Sequence, residues 1–195
     1  MIGVTIITVF VIGLVNSENG VPCGALPSQW YSTYAVTETL NANQTLRGVY
    51  VTDADGNRTQ YTASLWQNGN DYGTINVFTY YNQEIFYSYM EKYKICVKKS
   101  FAAGNVPVIN LRSPGNELLA FDSLARADVR SQTWKTVISS NGERTVLLLT
   151  LLDDGCLPVV AVTQNSKATS SIIYSNVTMG IPSGSFELPN KCKEL

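Results

Sequence analysis

Apolar and polar residues alternate in short segments along most of the chain, and turn-forming residues separate these segments. Residues 46–51 and 59–66 flank a turn at Asp55 and Gly56, and residues 74–81 and 85–89 flank a second turn at Asn82 and Gln83. Further candidate strands are 134–138, 144–152, 159–163 and 171–180. Short strands joined by tight turns are typical of antiparallel sheets. The pattern predicts a mainly β protein built as two packed antiparallel sheets or as an open barrel.

Helical periodicity is weak in this sequence. The best candidate is segment 117–129, where apolar residues recur at roughly helical spacing. Gly115 and Asn116 interrupt the start of this segment, so a short helix and a loop both fit it.

The N-terminus carries an apolar run over residues 2–15, followed by the small residue Ser17. This pattern predicts a secretory signal peptide over residues 1–17 and therefore a secreted, extracellular protein. An uncleaved anchor is the alternative, although the run is shorter than the roughly 20 residues of a spanning helix. No later segment is long and apolar enough to be a transmembrane segment. The remainder, residues 18–195, is expected to form a single domain.

Composition excludes several classes of function. The net charge is −1 at pH 7, which argues against a nucleic-acid partner because such proteins present a basic face. The chain has no histidine, so it lacks the usual base of Ser-His-Asp and Cys-His catalysts. The adjacent carboxylates of Asp153 and Asp154 lie beside Gly155 in a predicted turn. We therefore expect a protein that is not an enzyme.

Cysteines and sequons fit an exported protein. Four cysteines predict two disulfides, and the sequence alone allows three pairings of Cys23, Cys96, Cys156 and Cys192. Three Asn-x-Thr sequons predict N-glycosylation at Asn43, Asn57 and Asn176.

The acidic segment 53–57 resembles the opening of a calcium-binding EF-hand loop. Its glycine falls one position early, and Ser64 occupies the place of the bidentate glutamate. The segment is therefore interpreted as a hairpin turn, and no metal-ligating residues are named.

A cluster of aromatic residues occupies residues 72–93, with six tyrosines and two phenylalanines. On neighbouring strands such side chains usually pack in cross-strand pairs. The alternative is that they line a concave apolar pocket with hydroxyls at its rim.

Several short motifs follow one another in a recognisable order. The predicted mature chain opens with Pro22, Cys23 and Trp30. Trp134 and a Gly-Cys-Leu-Pro element at 155–158 come later, and a Gly-Ile pair at 180–181 precedes Phe186, Pro189 and Cys192. This order, over nearly the whole predicted mature chain, resembles the ependymin-related family.

The resemblance implies a fold of two stacked antiparallel sheets. They form a curved open sandwich or half-barrel around a hydrophobic pocket, as in bacterial lipoprotein carriers. It also implies disulfides between Cys23 and Cys156 and between Cys96 and Cys192. Homodimers are common in the family. Relatives are described as calcium-responsive, so calcium is implied by the resemblance alone, and no other cofactor is expected.

The function that follows is non-catalytic binding of an apolar small molecule, such as a lipid or fatty acid. Alternate residues on the central strands are expected to line the pocket, namely Ile75, Val77, Ile85, Tyr87, Tyr89, Val177 and Met179. The alternative function is a calcium-responsive glycoprotein of the extracellular matrix that acts in cell–matrix adhesion, with matrix components as partners.

Overall fold

A computed structural model describes residues 22–38, 44–67, 70–101, 110–124, 129–140, 143–166 and 169–195. The predicted signal peptide over residues 1–17 and the sequon at Asn43 lie outside these residues. Within the described ranges, no helix has the length and apolar character needed to cross a membrane.

The described residues form eleven β-strands and very little helix. A 3-10 turn over Tyr81–Gln83 joins the fourth and fifth strands, and a short helix α1 occupies Asn190–Lys193. The strands are β1 (Gln29–Glu38), β2 (Gln44–Asp53), β3 (Arg58–Gln67), β4 (Asn70–Tyr80), β5 (Ile85–Met90), β6 (Ile95–Ser100), β7 (Glu117–Leu124), β8 (Val129–Ser140), β9 (Glu143–Leu152), β10 (Pro158–Gln164) and β11 (Thr169–Met179).

All eleven strands belong to one antiparallel sheet with the order β6-β5-β4-β3-β2-β1-β11-β10-β9-β8-β7. Among the described residues β6 and β7 pair on one side only, so the sheet is not closed into a barrel. Strands that are neighbours in the sheet are also neighbours in sequence, except where β1 meets β11. The sheet therefore consists of a first meander (β1–β6) and a second meander (β7–β11), joined along the β1–β11 pair.

The mainly β, antiparallel fold is confirmed, but two details of the prediction differ. The two sheets expected from sequence are a single continuous one, because β1 and β11 pair across the boundary between the meanders. Both alternatives considered for residues 117–129, a short helix and a loop, are wrong for the described part of that segment. Residues Glu117–Leu124 are a strand, in which Leu118 pairs with Trp134 of β8. Pairing with β8 outweighs the weak helical spacing of a short apolar run.

Side chains divide between two faces of the sheet. We call the side that carries Trp30, Ser32 and Tyr34 the Trp30 face. Its core includes Leu149 and Ala161, which lie directly opposite each other on β9 and β10. The other side, the Phe78 face, carries a second cluster in which Phe78 of β4 lies opposite Tyr87 of β5. Each face of the sheet therefore carries an apolar cluster, the Trp30 face in the second meander and the Phe78 face in the first.

The C-terminal segment after β11 covers the Phe78 face of the first meander. Leu188 packs on the cluster there, and Cys192 is bonded to Cys96 of β6. The hydroxyl of Tyr80 donates to the backbone carbonyl of Phe186 at 3.1 Å. The Arg58 guanidinium lies 4.2 Å from the centre of the Phe186 ring. These contacts hold residues that are distant in sequence on one side of the sheet.

The hairpin between β2 and β3 is built around the carboxylate of Asp53. This carboxylate accepts hydrogen bonds from the Gly56 N–H at 2.9 Å, from Arg58 Nε at 2.8 Å and from Gln29 Nε2 at 2.9 Å. Burial alone would raise the pKa of Asp53, but these hydrogen bonds and the charge of Arg58 outweigh it, so the pKa lies below its ordinary value of 3.8. The acidic segment 53–57 therefore uses its buried carboxylate to form the turn.

Candidate ligand cavity

A cavity of about 180 Å³ lies on the Trp30 face where the two meanders meet. Its wall is drawn from five neighbouring strands, β2, β1, β11, β10 and β9, from the segment that precedes β1 and from the turn that follows β2. The lining residues are Leu26, Pro27, Trp30, Tyr50, Thr52, Ala54, Leu147, Leu149, Pro158, Ala161, Thr163, Ile172 and Tyr174.

Curvature of the sheet is what brings these strands around one cavity. Neighbouring strands are about 4.8 Å apart, so β2 and β9 would be roughly 19 Å apart in a flat sheet. That span is much wider than a cavity of this volume, so the sheet bends and the Trp30 face is concave here.

An aromatic group forms the part of the wall that spans the two meanders. The ring of Trp30 lies 5.1 Å from that of Tyr50 on one side and 5.7 Å from that of Tyr174 on the other, measured between ring centres. Burial raises the pKa of Tyr174. Burial, followed by the neighbouring Tyr174 and Tyr81, also raises the pKa of Tyr50, against a smaller opposing effect of its hydrogen bond with Thr52. Both phenols are therefore neutral hydrogen-bonding groups at physiological pH.

Tyr34 extends this aromatic group along β1. Its hydroxyl donates to the Thr62 carbonyl at 3.1 Å, which requires the side chain to cross β2. The residue opposite Tyr34 on β2 is Gly48. A methyl group at Gly48 would collide with the Thr62 carbonyl, so only glycine leaves room for this arrangement. Burial and the neighbouring Tyr61 and Tyr174 raise the pKa of Tyr34 to about 12.

The segment that carries Leu26 and Pro27 is fixed to the second meander. The backbone N–H of Cys23 donates to Gln132 Oε1 at 2.9 Å, and Cys23 is bonded to Cys156. The Leu111 N–H donates to the Gly24 carbonyl at 2.9 Å. These contacts place the segment against the concave surface and complete the apolar wall of the cavity.

The chemistry of the wall is apolar with a few hydroxyls. None of the thirteen lining residues carries a charged side chain. Hydroxyls come from Tyr50, Tyr174, Thr52 and Thr163, and the last of these is hydrogen-bonded to Ser170 at 2.8 Å. In the part of the chain that the structure describes, no three His, Cys, Asp or Glu side chains are grouped so as to hold a metal ion.

The seven residues expected to line the pocket lie elsewhere. Ile75 and Val77 are on the Trp30 face but on β4, beyond the cavity. Ile85, Tyr87 and Tyr89 are on the Phe78 face, under the C-terminal segment. Val177 and Met179 lie at the far end of β11, and the Met179 side chain is exposed.

The physical reason is the register set by the turn at Tyr81–Gln83. Tyr80 lies opposite Ile85, so an odd-numbered residue of β4 shares a face with an even-numbered residue of β5. Choosing odd positions on both strands therefore selects opposite faces of the sheet. The residues that sequence reasoning missed are above all Trp30 on β1, Tyr50 on β2 and Tyr174 on β11. Tyr50 is flanked by Val49 and Val51, so no alternation of apolar and polar residues marks it in the sequence.

The two disulfides join Cys23 to Cys156 and Cys96 to Cys192, the pairing implied by the family resemblance. Among the sequons, Asn57 lies in the β2–β3 turn with a positive φ of 52°. Asn176 is exposed on β11 and also has a φ of 52°. Glycosylation at these positions stays a prediction.

Comparisons with known proteins give a fold but no family. No family model matches the chain, and no curated protein matches it. An uncharacterized conserved protein from Thermus thermophilus is similar in structure, with a TM-score of 0.53 and 12% identity over 85% of this chain and 88% of that one. LprF from Mycobacterium bovis matches with a TM-score of 0.44 and 12% identity over 84% of this chain and 90% of that one. At this identity the Thermus likeness shows a shared fold alone.

Proposed function

We propose that this protein is a secreted, non-catalytic binding protein for an apolar small molecule, held in the cavity on the Trp30 face. The observation that carries the proposal is the lining: thirteen uncharged residues, from five adjacent strands, the segment before β1 and the turn after β2, line about 180 Å³. Cavities that are concave, mostly apolar and equipped with a few hydrogen-bonding groups are the usual form of small-molecule sites.

The driving force for binding is removal of apolar ligand surface from water. This contributes about 25 cal/mol for each Å² of apolar surface that becomes buried. The wall is held in place before a ligand arrives by the Cys23–Cys156 disulfide and by the ring contacts of Trp30. A preformed site of this kind avoids much of the ordering cost of binding.

Export and family membership are part of the same proposal. The apolar run at residues 2–15, the sequons and the two disulfides support passage through an oxidising secretory compartment. The order of motifs supports an ependymin-related protein, in which a lipid would be a natural ligand.

Two adjacent isoleucines on β11 provide a matched test. Ile172 lines the cavity, whereas Ile173 points to the opposite face and is 51% exposed. Ile172→Phe should fill part of the cavity, and Ile173→Phe should leave it unchanged. The measurement is the rise in melting temperature of the secreted protein on addition of p-xylene, which reports binding to the folded state. Native mass spectrometry of the deglycosylated protein, without detergent, would identify any co-purified apolar molecule.

We expect p-xylene to stabilise the wild type and Ile173→Phe, and to have little effect on Ile172→Phe. An equal response of the two variants would place binding outside the cavity. A wild type that neither responds to p-xylene nor carries an extractable apolar mass would overturn the proposal.

A further inference from the structure

We infer that the bound molecule carries a neutral acceptor oxygen, in the simplest case the carbonyl of a ketone or an ester, and that the hydroxyl of Tyr174 donates a hydrogen bond to this oxygen in the cavity. The inference rests on the proposed function and deepens it, because it makes Tyr174 the residue that determines specificity in an otherwise apolar site.

Four residues of the cavity wall carry a hydroxyl, and three of these hydroxyls interact within the protein. Thr163 shares a hydrogen bond of 2.8 Å with Ser170, and the hydroxyl of Tyr50 interacts with that of Thr52. The hydroxyl of Tyr174 has no hydrogen-bond partner in the residues that the structure describes. The donor of Tyr174 is therefore left for a ligand.

The hydroxyl oxygen of Tyr174 is also accessible. Across the described segments, Ser32 Oγ is the side-chain oxygen that is both fully enclosed and without a partner. The Tyr174 oxygen lacks a partner without being enclosed in this way, so another molecule can reach it. The same difference appears in the wall of the cavity, which includes Tyr174 but not Ser32.

The position of Tyr174 directs its oxygen toward the cavity. Strand β11 is the middle one of the five strands that form the wall, and Tyr174 projects from its concave Trp30 face. The Tyr174 ring meets the Trp30 ring edge-on, with 5.7 Å between the ring centres. Ile172, the preceding residue on the same face of β11, also lines the cavity. An accessible oxygen at the centre of a concave wall opens onto the space that the wall borders.

The chemistry of a phenol selects an acceptor on the ligand. The lone pairs of its oxygen are partly delocalised into the ring, so a phenol donates hydrogen bonds more strongly than it accepts them. Burial raises the pKa of Tyr174, so the hydroxyl keeps its proton at physiological pH. A carbonyl oxygen accepts hydrogen bonds and has no proton to donate, and it therefore complements Tyr174.

The same burial argues against a charged acceptor. Surroundings that disfavour the phenolates of Tyr174 and Tyr50 also disfavour a carboxylate bound beside them. None of the lining residues supplies a cation to compensate that charge. A neutral carbonyl loses less on leaving water and gains the hydrogen bond from Tyr174. The site therefore favours a ketone or an ester over a carboxylate.

A matched pair of probes isolates the contribution of the carbonyl oxygen. They are 4-methylacetophenone and the hydrocarbon 1-isopropenyl-4-methylbenzene, in which a methylene group replaces the oxygen. A third probe, 4-methylbenzoate, carries a charge. Their dissociation constants are measured by calorimetry at pH 7 for the wild type, for Tyr174→Phe and for the control Tyr31→Phe. Tyr31 is a half-buried tyrosine of β1 on the opposite face of the sheet.

We expect Tyr174→Phe to weaken binding of the ketone about fivefold, the value of one typical hydrogen bond, and to change binding of the hydrocarbon less than about twofold. Tyr31→Phe should change neither affinity. The wild type should bind the benzoate at least about tenfold more weakly than the ketone. Without ligand, Tyr174→Phe should melt at the wild-type temperature, because no hydrogen bond within the protein is lost.

The infrared spectrum of the bound ketone reports the hydrogen bond directly. A hydrogen bond to the oxygen weakens the C=O bond, so the carbonyl stretching band should lie at a lower wavenumber in the wild type than in Tyr174→Phe. Tyr31→Phe should show the wild-type band. A change in protein stability alone would not produce this difference.

The failures of the two proposals are distinguishable. Equal losses of ketone and hydrocarbon affinity in Tyr174→Phe, or an unchanged carbonyl band, would overturn the hydrogen bond from Tyr174. Equal binding of benzoate and ketone by the wild type would overturn the neutral ligand class. In each of these cases the binding cavity stands. If neither the three probes nor p-xylene bind to the wild type, the proposed function fails and this inference fails with it.

Discussion

The side-chain oxygen of Gln132 accepts the backbone N–H of Cys23 at 2.9 Å, although 109 residues separate the two in sequence. Gln132 is fully buried, and the same oxygen also accepts the indole N–H of Trp134 at 3.1 Å. Its amide nitrogen donates to Asp153 Oδ1 at 2.6 Å. One side chain therefore fixes the segment before β1, the core tryptophan and the β9–β10 turn together.

Replacing Gln132 by leucine should destabilise the protein by about 2–4 kcal/mol, because it leaves buried polar groups without partners. Urea denaturation of the purified protein measures this free energy of unfolding. The neighbouring Thr133 provides a control, since its hydroxyl pairs with Thr150 in a partly buried position. Thr133→Val should cost less than about 1 kcal/mol. Equal effects of the two substitutions would contradict the anchoring role of Gln132.

The side chain of Tyr34 crosses β2 at Gly48, and we expect that a larger residue at this position is not tolerated. Gly48→Ala should lower the free energy of unfolding by at least about 2 kcal/mol, because the added methyl collides with the backbone carbonyl of Thr62. Gly24→Ala is the matched control, because its methyl would meet only the flexible side chain of Arg112, at 3.2 Å. Thermal denaturation of both variants checks this. A Gly48→Ala protein as stable as the control would show that the strands have room to separate.

Stability should fall at acid pH because of Asp53. Its pKa is lower in the folded protein than the ordinary 3.8, so its stabilising contribution is complete above the unfolded-state pKa. The contribution is lost as the pH falls through the folded-state pKa. We expect Asp53→Asn to be less stable at neutral pH by about 1–3 kcal/mol and to lose less stability on acidification. Asp154→Asn, at an exposed position, is the matched control for the removal of one carboxylate. Parallel profiles for wild type and Asp53→Asn would count against this role.

We expect alkaline pH to lower the free energy of unfolding through ionisation of Tyr34. Because its folded-state pKa is raised to about 12, its stabilising contribution is complete below the ordinary value of 10.0 and is lost as the pH rises through about 12. Tyr34→Phe removes the hydrogen bond to Thr62, so it should cost about 1 kcal/mol at neutral pH. Between pH 10 and 12 it should lose less stability than the wild type. Phenolate absorbance and denaturation curves, recorded together, measure both effects.

Loss of the Cys96–Cys192 disulfide should release the C-terminal segment. The bridge spans 96 residues, so replacing both cysteines by serine should cost about 2–5 kcal/mol. It should also expose Phe78 and Tyr87, which Cys192 helps to cover. Limited proteolysis should then cut after residue 180. Replacing the Cys23 and Cys156 pair instead should leave that region protected. Identical cleavage patterns in the two double variants would refute this.

The sequence predicted those parts of the fold that depend on local chemistry. The turns at Asp55 and Gly56 and at Asn82 and Gln83 are present, because hairpin turns are determined by the residues within them. The family resemblance supplied the disulfide pairing found in the structure. The position of the cavity could not be predicted in the same way. It depends on the pairing of β1 with β11 and on the register of Tyr80 with Ile85, and neither is visible in a single strand's alternation.

Both disulfides connect one meander to the other. Cys23 precedes β1 and is joined to the β9–β10 turn, and Cys96 of β6 is joined to the segment after β11. Hairpins within each meander can form from nearby residues, whereas β1 and β11 must meet across more than 130 residues, as with Thr33 and Ser175. The pairing that would close within each half, Cys23 with Cys96 and Cys156 with Cys192, is one of the two non-native pairings. The native pairing therefore needs the two meanders in contact, so the association that forms the cavity wall also brings each thiol to its partner.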